Sequence, residues 1–229
     1  MKKLIFIFFM SFLFSEYSVC QDWANLEKYQ DENIILRKYP TENRIVFMGN
    51  SITEGWKELS PDFFTKNKNY INRGISGQTS PQMLIRFRQD VIDLKPAAVV
   101  ILAGTNDIAG NTGPSTSEMI LDNIKSMAEL AKASNITVIL CSVLPAFDFP
   151  WNPGQNPAIR IPELNLLIKK YAAETKTAYV DYFSAMKDEK NGLQAIYSED
   201  GVHPNLKGYE VMESILNKSF NELQLVKKK

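Results

Sequence analysis

Residues 97–107 read Ala-Ala-Val-Val-Ile-Leu-Ala-Gly-Thr-Asn-Asp, and they carry the clearest information about the fold. A continuous apolar run of this length is typical of a central strand in a parallel sheet, where helices cover both faces. The polar segment from Gly104 to Asp107 follows at once, so we expect it at the carboxyl end of that strand. In open parallel sheets, ligands bind beyond this edge. The stretch therefore predicts an α/β fold and the position of its functional site.

Four other apolar runs predict the remaining strands, and helical patterns alternate with them. The strands are predicted at 45–48, 70–72, 136–141 and 178–181. Helices are predicted from a cap at Ser80, from a capping box at Ser115 and Glu118, and over 161–175 and 206–223. Another helix, around 23–29, is expected to pack on the outside. The alternation implies a five-stranded parallel sheet with helices on both faces. No repeat or linker divides the chain, so one domain over residues 21–229 is expected.

The first 20 residues read as a secretory signal peptide. Lys2 and Lys3 precede an apolar run from Leu4 to Phe14, and Cys20 is a small residue suited to cleavage after it. The run of about 11 residues is shorter than the ~20 needed to cross a bilayer, so stable membrane insertion is not expected. We therefore expect export, most simply to the periplasm. A lipid anchor at Cys20 is the less favoured alternative, because Tyr17-Ser18-Val19 is a poor lipobox.

Composition excludes several other classes of protein. The 26 basic residues balance the 26 acidic ones, so nothing favours a nucleic-acid partner. The single histidine, His203, cannot supply the two or three ligands usual in a catalytic zinc site, and no metal or cofactor is expected. If Cys20 is removed with the signal peptide, Cys141 has no disulfide partner, and its apolar surroundings predict a buried, inert thiol. The oligomeric state stays open.

The segment Asp200-Gly201-Val202-His203-Pro204 carries the candidate general base. Asp200 can hold one ring nitrogen of His203 while the other accepts a proton, which is the base half of a serine hydrolase site. Ser51, in Gly49-Asn50-Ser51 after the first strand, would be the nucleophile. Its own N–H, at a helix start, and donors from Gly74 and Asn106 after the next two strands would bind the oxyanion. Each motif alone is more simply a turn or a cap, and only their joint occurrence at strand ends indicates a catalytic site.

Together these segments resemble the four motif blocks of the SGNH hydrolases, also called the GDSL esterase/lipase family, over about residues 43 to 220. The residues that name the family are matched by Ser51, Gly74, Asn106 and His203, and Asp200 matches its triad acid. The resemblance implies a flavodoxin-like three-layer α/β/α sandwich and metal-free ester hydrolysis through an acyl-enzyme.

One residue departs from the family pattern, and one loop bears on the substrate. Asn50 stands where the family usually has Asp, and we expect it to anchor its loop without abolishing activity. The long stretch 145–157 follows the fourth strand and carries Phe147, Phe149 and Trp151. Loops of this length tend to be functional. Aromatic faces suit sugar rings, although these side chains could equally cover a fatty acyl chain or fix the loop to the core.

We therefore expect an exported serine esterase that removes short acyl groups, acetyl above all, from a small molecule or a glycan. A phospholipid or thioester acylhydrolase with the same triad is the alternative. A non-catalytic glycan-binding module is less favoured, because every catalytic position is filled. A glycosidase using Glu199 and Asp200 is also less favoured, because adjacent carboxylates seldom flank one bond.

Overall fold

The computed structural model describes residues 22–39 and 43–225. The predicted signal peptide, with Cys20, and the basic residues 227–229 lie outside the described residues. Within these described ranges, five strands form one parallel sheet in the order β2-β1-β3-β4-β5. Their bounds are β1 Ile45–Gly49, β2 Tyr70–Gly74, β3 Ala98–Leu102, β4 Thr137–Cys141 and β5 Ala178–Val180. This is the order of the flavodoxin-like fold that the family resemblance implies, and β3 lies in the centre, as its apolar run predicts.

Helices cover both faces of the sheet. Their bounds are α1 Gln30–Lys38, α2 Ser51–Leu59, α3 Pro61–Thr65, α4 Ser80–Asp90, α5 Thr105–Ile108, α6 Ser117–Ala133, α7 Pro157–Glu174, α8 Tyr182–Met186 and α9 Leu206–Glu222, with a 3₁₀ turn at Ile92–Leu94.

Successive strand residues point to opposite faces and divide the core in two. Val99 and Ile101 of β3 belong to the apolar cluster formed with α4, α6 and α7. Val100 and Leu102 belong to the cluster formed with α2, α3, α8 and α9. The predicted α/β fold with three layers is therefore confirmed.

Two helix caps lie one residue away from their predicted positions. Ser80 is the first residue of α4 and Thr79 is the cap, because the Ser80 N–H and hydroxyl both bind the carboxylate of Asp107. Thr116 caps α6, its hydroxyl accepting the Met119 N–H at 3.2 Å. Ser115 instead donates its hydroxyl to the backbone carbonyl of Asp107 at 2.8 Å. Both serines therefore fix Asp107, the residue that follows Asn106, and so position this part of the site.

The prediction of a helix over 23–29 is wrong, since this segment forms turns and α1 begins at Gln30. The side-chain amide of Gln82 donates to the Trp23 carbonyl, and that of Gln89 donates to the Leu26 carbonyl. Carbonyl groups that bind glutamine side chains of α4 are not used for helical hydrogen bonds. The segment does pack on the outside of the domain, as expected, and Gln78 binds the Ala24 carbonyl in the same way.

Candidate active site

The three residues predicted as a triad meet at the carboxyl edge of the sheet. Ser51 is the first residue of α2, and its Oγ lies 2.9 Å from Nε2 of His203. Nδ1 of the same ring lies 2.7 Å from Oδ2 of Asp200. Because a carboxylate only accepts, Nδ1 carries the ring hydrogen and the lone pair of Nε2 faces the Ser51 hydroxyl. This geometry allows the imidazole to take a proton from the serine.

A tight turn holds the Asp200 carboxylate. Its Oδ1 accepts the backbone N–H groups of Val202 at 2.9 Å and His203 at 2.8 Å, and the Ser198 hydroxyl at 3.1 Å. Burial raises the pKa of Asp200, but the hydrogen bonds from the His203 ring and from the two N–H groups outweigh it and lower the pKa to about 2. The carboxylate is therefore ionised near neutral pH, and it fixes both the ring orientation and the tautomer of His203.

Asn50 anchors the start of the nucleophile helix. Its side chain is buried, and Oδ1 accepts the Ile52 N–H at 3.0 Å as the cap of α2. The first N–H groups of a helix have no partner within the helix. The N–H of Ser51 is one of them, and it is available to an anion at this position.

The structure contradicts the prediction that Gly74 donates to the oxyanion. The Gly74 N–H binds the side-chain oxygen of Asn72 at 2.9 Å and is buried. A Cβ at this position would lie 2.1 Å from the backbone nitrogen of Glu54. Gly74 is therefore required where the end of β2 touches α2, and its N–H cannot bind a substrate oxygen.

Gly77, in the same loop, has the properties of an oxyanion donor that were expected of Gly74. Its N–H has no hydrogen-bond partner among the described residues, and the residue is exposed. Its φ of +77° lies in the left-handed region that favours glycine. On one side, Glu54 accepts the N–H and the hydroxyl of Ser76. On the other side, the Gln78 carbonyl accepts a hydrogen bond from the Asn106 side chain. The loop is thus fixed around a free N–H.

Asn106 follows β3 on the short helix α5 and is almost fully buried. One hydrogen of its amide binds the Gln78 carbonyl at 3.0 Å, which leaves the second for a ligand. Ser51, Gly77 and Asn106 follow the adjacent strands β1, β2 and β3.

Sequence reasoning missed Gly77 because Asn72 to Gly77 contains two glycines, and the hydrogen bond by which Asn72 occupies the N–H of Gly74 is not visible in the sequence. The signal that could have found it is the position of Gly77 just before the cap of α4.

The three aromatic residues of the 145–157 loop have different environments. Phe149 is fully buried in the core, so it fixes the loop to the core, one of the alternatives left open by the sequence, and is not exposed to substrate. Trp151 stacks on Phe149 with ring centroids 5.1 Å apart and remains 44% exposed. Its ring centroid lies 6.1 Å from that of His203. Phe147 is exposed and lines a cleft of about 320 Å³ that also touches Asp200.

A second cleft, of about 280 Å³, borders the triad on the side of α9. Asp200 and His203 form one wall of it, and Leu59 and Pro204 make it mainly apolar. The Asp200–His203 segment of the triad therefore borders two clefts.

Within residues 22–39 and 43–225, no three His, Cys, Asp or Glu side chains are grouped so as to bind a metal ion. No helix there is long and apolar enough to cross a membrane. Cys141 is a buried free thiol, as predicted, and burial raises its pKa to about 12.

The sequence matches the GDSL-like lipase/acylhydrolase family model over residues 47–211. The chain belongs to this family. A crystal structure of a GDSL-like lipase from Bacteroides thetaiotaomicron is 49% identical, with a TM-score of 0.84, over 87% of this chain and 98% of that one.

Two curated relatives have named activities. Esterase TesA of Pseudomonas aeruginosa is 28% identical over 76% of this chain and 85% of its own length. An acetylxylan esterase of Geobacillus stearothermophilus is 26% identical over 62% of this chain and 67% of its own length. As a GDSL-family member, the chain is a serine ester hydrolase.

Proposed function

We propose that the protein is an exported esterase that removes short acyl groups, acetyl above all, from carbohydrate through an acyl-enzyme on Ser51. The observation that carries the proposal is the hydrogen-bonded chain from Ser51 Oγ through His203 to Asp200, with contacts of 2.9 and 2.7 Å. Three groups within hydrogen-bond reach of each other in this order are the signature of an activated serine nucleophile.

The proposed reaction uses each of these groups in turn. His203 takes the proton of Ser51 as Oγ attacks the ester carbonyl carbon, and Asp200 stabilises the imidazolium that forms. The carbonyl oxygen becomes an oxyanion and accepts the N–H groups of Ser51 and Gly77 and the side-chain amide of Asn106. His203 then protonates the alcohol oxygen as the ester bond breaks. The same histidine then deprotonates a water that attacks the acyl carbon, and it returns this proton to Ser51 Oγ as the bond between Oγ and the acyl carbon breaks, which releases the acid and restores the free serine.

Two observations favour a carbohydrate acetate as the substrate. Trp151 exposes an aromatic surface beside His203, where the alcohol part of an ester departs. One relative is named an acetylxylan esterase.

The proposal that the protein is exported rests on its N-terminal pattern, in which Lys2 and Lys3 precede an apolar run. The periplasm is the proposed destination.

The test is hydrolysis of the p-nitrophenyl esters of acetate, butyrate and octanoate by the purified protein. Ser51→Ala is the decisive variant, and Ser126→Ala, on the outer face of α6, is the matched control. We expect acetate to be the best substrate, Ser51→Ala to fall to background and Ser126→Ala to match the wild type. Equal activity of Ser51→Ala and wild type would refute the mechanism. Faster hydrolysis of octanoate than of acetate would favour the lipid acylhydrolase instead.

A further inference from the structure

Trp151 is an exposed aromatic side chain that is held in place. Its ring stacks on the fully buried Phe149, with an interplanar angle of 29°. Its indole N–H donates to Oδ1 of Asn111 at 3.1 Å. The next residue, Asn152, donates its amide to the Ala109 carbonyl at 2.7 Å and ties the loop to the end of α5. A fixed ring loses little conformational entropy when a ligand packs on it.

The position of this ring follows the direction in which the alcohol must leave. In ester hydrolysis by Ser51, the alcohol oxygen has to reach Nε2 of His203 to be protonated. The alcohol part therefore lies beside the imidazole ring, whose centroid is 6.1 Å from that of Trp151 with the planes tilted by 38°. The acyl chain is a separate substituent of the carbonyl carbon and does not have to touch Trp151.

We propose that Trp151 is the surface on which the sugar ring of the substrate lies, and that it selects the alcohol part of the ester rather than the acyl part. A pyranose presents a face of C–H groups that can pack on an aromatic ring while its hydroxyls stay at the edge in water. This inference rests on the proposed function, because it names the residue that recognises the proposed carbohydrate.

Asn111 positions both Trp151 and the Gly77 loop. Its Oδ1 accepts the indole N–H, and its Nδ2 donates to the Gly77 carbonyl at 3.1 Å. The oxygen and the nitrogen of the Asn111 amide are therefore both hydrogen-bonded. They fix the distance between the Trp151 ring and the peptide group between Gly77 and Gln78. In this way the sugar-binding surface and the oxyanion donor belong to one hydrogen-bonded unit.

Two acetates with different alcohols test the proposal. The substrates are a monoacetylated xylose and ethyl acetate, which share the acyl group and differ in the alcohol. Trp151→Ala should lower kcat/KM for the sugar acetate by about tenfold and leave that for ethyl acetate nearly unchanged. Trp151→Phe keeps a ring face without the indole N–H and should retain most of the preference. Tyr39→Ala is the control for loss of an exposed aromatic at the opposite edge of the sheet, since the Tyr39 carbonyl binds Arg44, the residue that precedes β1.

The outcomes separate this inference from the proposed function. An equal fall on both acetates, no fall on the sugar acetate, or a loss with Trp151→Phe as large as with Trp151→Ala would overturn the role of Trp151. None of these results would affect the serine mechanism. Failure of the wild type to hydrolyse the sugar acetate, with ethyl acetate hydrolysed, would instead refute the proposed substrate class.

The Asn111→Asp variant tests the positioning role. Asp keeps an acceptor for the indole N–H but removes the donor to the Gly77 carbonyl. It should lower kcat for both acetates by the same factor while their KM values stay unchanged. A fall confined to the sugar acetate would contradict a link between Asn111 and the oxyanion loop.

Discussion

Replacing Asn106 with alanine tests the stabilisation of the oxyanion. In the folded protein, one amide hydrogen of Asn106 binds the Gln78 carbonyl at 3.0 Å and the other is left for the substrate oxygen. Removal of one oxyanion donor typically costs about 2.7–4 kcal/mol in the transition state, which corresponds to a fall of roughly 10²–10³ in kcat. Loss of the bond to Gln78 leaves a buried carbonyl unpaired and costs about 1–3 kcal/mol of stability. A domain stable by about 5–15 kcal/mol remains folded.

The assay measures kcat and KM for p-nitrophenyl acetate together with urea denaturation of each variant. We expect kcat to fall as stated with little change in KM, because the donor acts on charge that exists only in the transition state. Asn67→Ala is the matched control, since this amide also donates to a backbone carbonyl, that of Phe63 at 2.8 Å, in the segment before β2. A kcat of Asn106→Ala equal to that of Asn67→Ala, or a change in KM alone, would refute the proposed role.

Three further predictions concern the structure around the triad. Gly74→Ala should lower the thermal midpoint more than Gly77→Ala, because its Cβ would meet the Glu54 backbone at 2.1 Å whereas the surroundings of Gly77 are open; the reverse order would contradict this packing. Asp200 has a pKa lowered from 3.8 to about 2, so its ionisation stabilises the fold above pH 3.8 and this contribution is lost as the pH falls to about 2. The urea midpoint of Asp200→Asn should therefore lie below that of the wild type near neutral pH and approach it in acid. A difference between the two midpoints that does not change with pH would contradict this contribution of the ionised carboxylate to stability. Asn50→Asp keeps the acceptor for the helix cap, so its kcat for p-nitrophenyl acetate should stay near that of the wild type; activity at background would show that the amide itself is required.

The fold was predictable because its central strands carry an unambiguous pattern. The run 97–103 is apolar throughout, and β3 does lie in the middle of the sheet with helices on both faces. The caps were less predictable, because Ser80 and Ser115 have cap-forming side chains that Asp107 engages instead. The turns at 23–29 depend on glutamines of α4 about 60 residues away, as in the contact of Gln82 with Trp23, and no local pattern reveals such contacts.

The site shows the same division between local and long-range information. His203 and Asp200 lie in one short loop and their contact follows from sequence spacing, and the meeting of this pair with Ser51 follows from the parallel topology. The choice between Gly74 and Gly77 depends on which N–H a neighbouring side chain captures. The burial of Phe149 likewise depends on the path of an irregular loop, which has no periodicity to predict it.

Covalent labelling is the sharpest test of Ser51 as the activated nucleophile. The purified protein and His203→Ala would be treated with an aryl organophosphate, and the modified peptide identified by mass spectrometry. We expect inactivation of the wild type with one phosphoryl adduct on Ser51, and loss of that labelling in His203→Ala, because Nε2 activates the hydroxyl from 2.9 Å. Inactivation of the wild type with the adduct on another residue, or equal labelling of Ser51 in both proteins, would contradict this expectation.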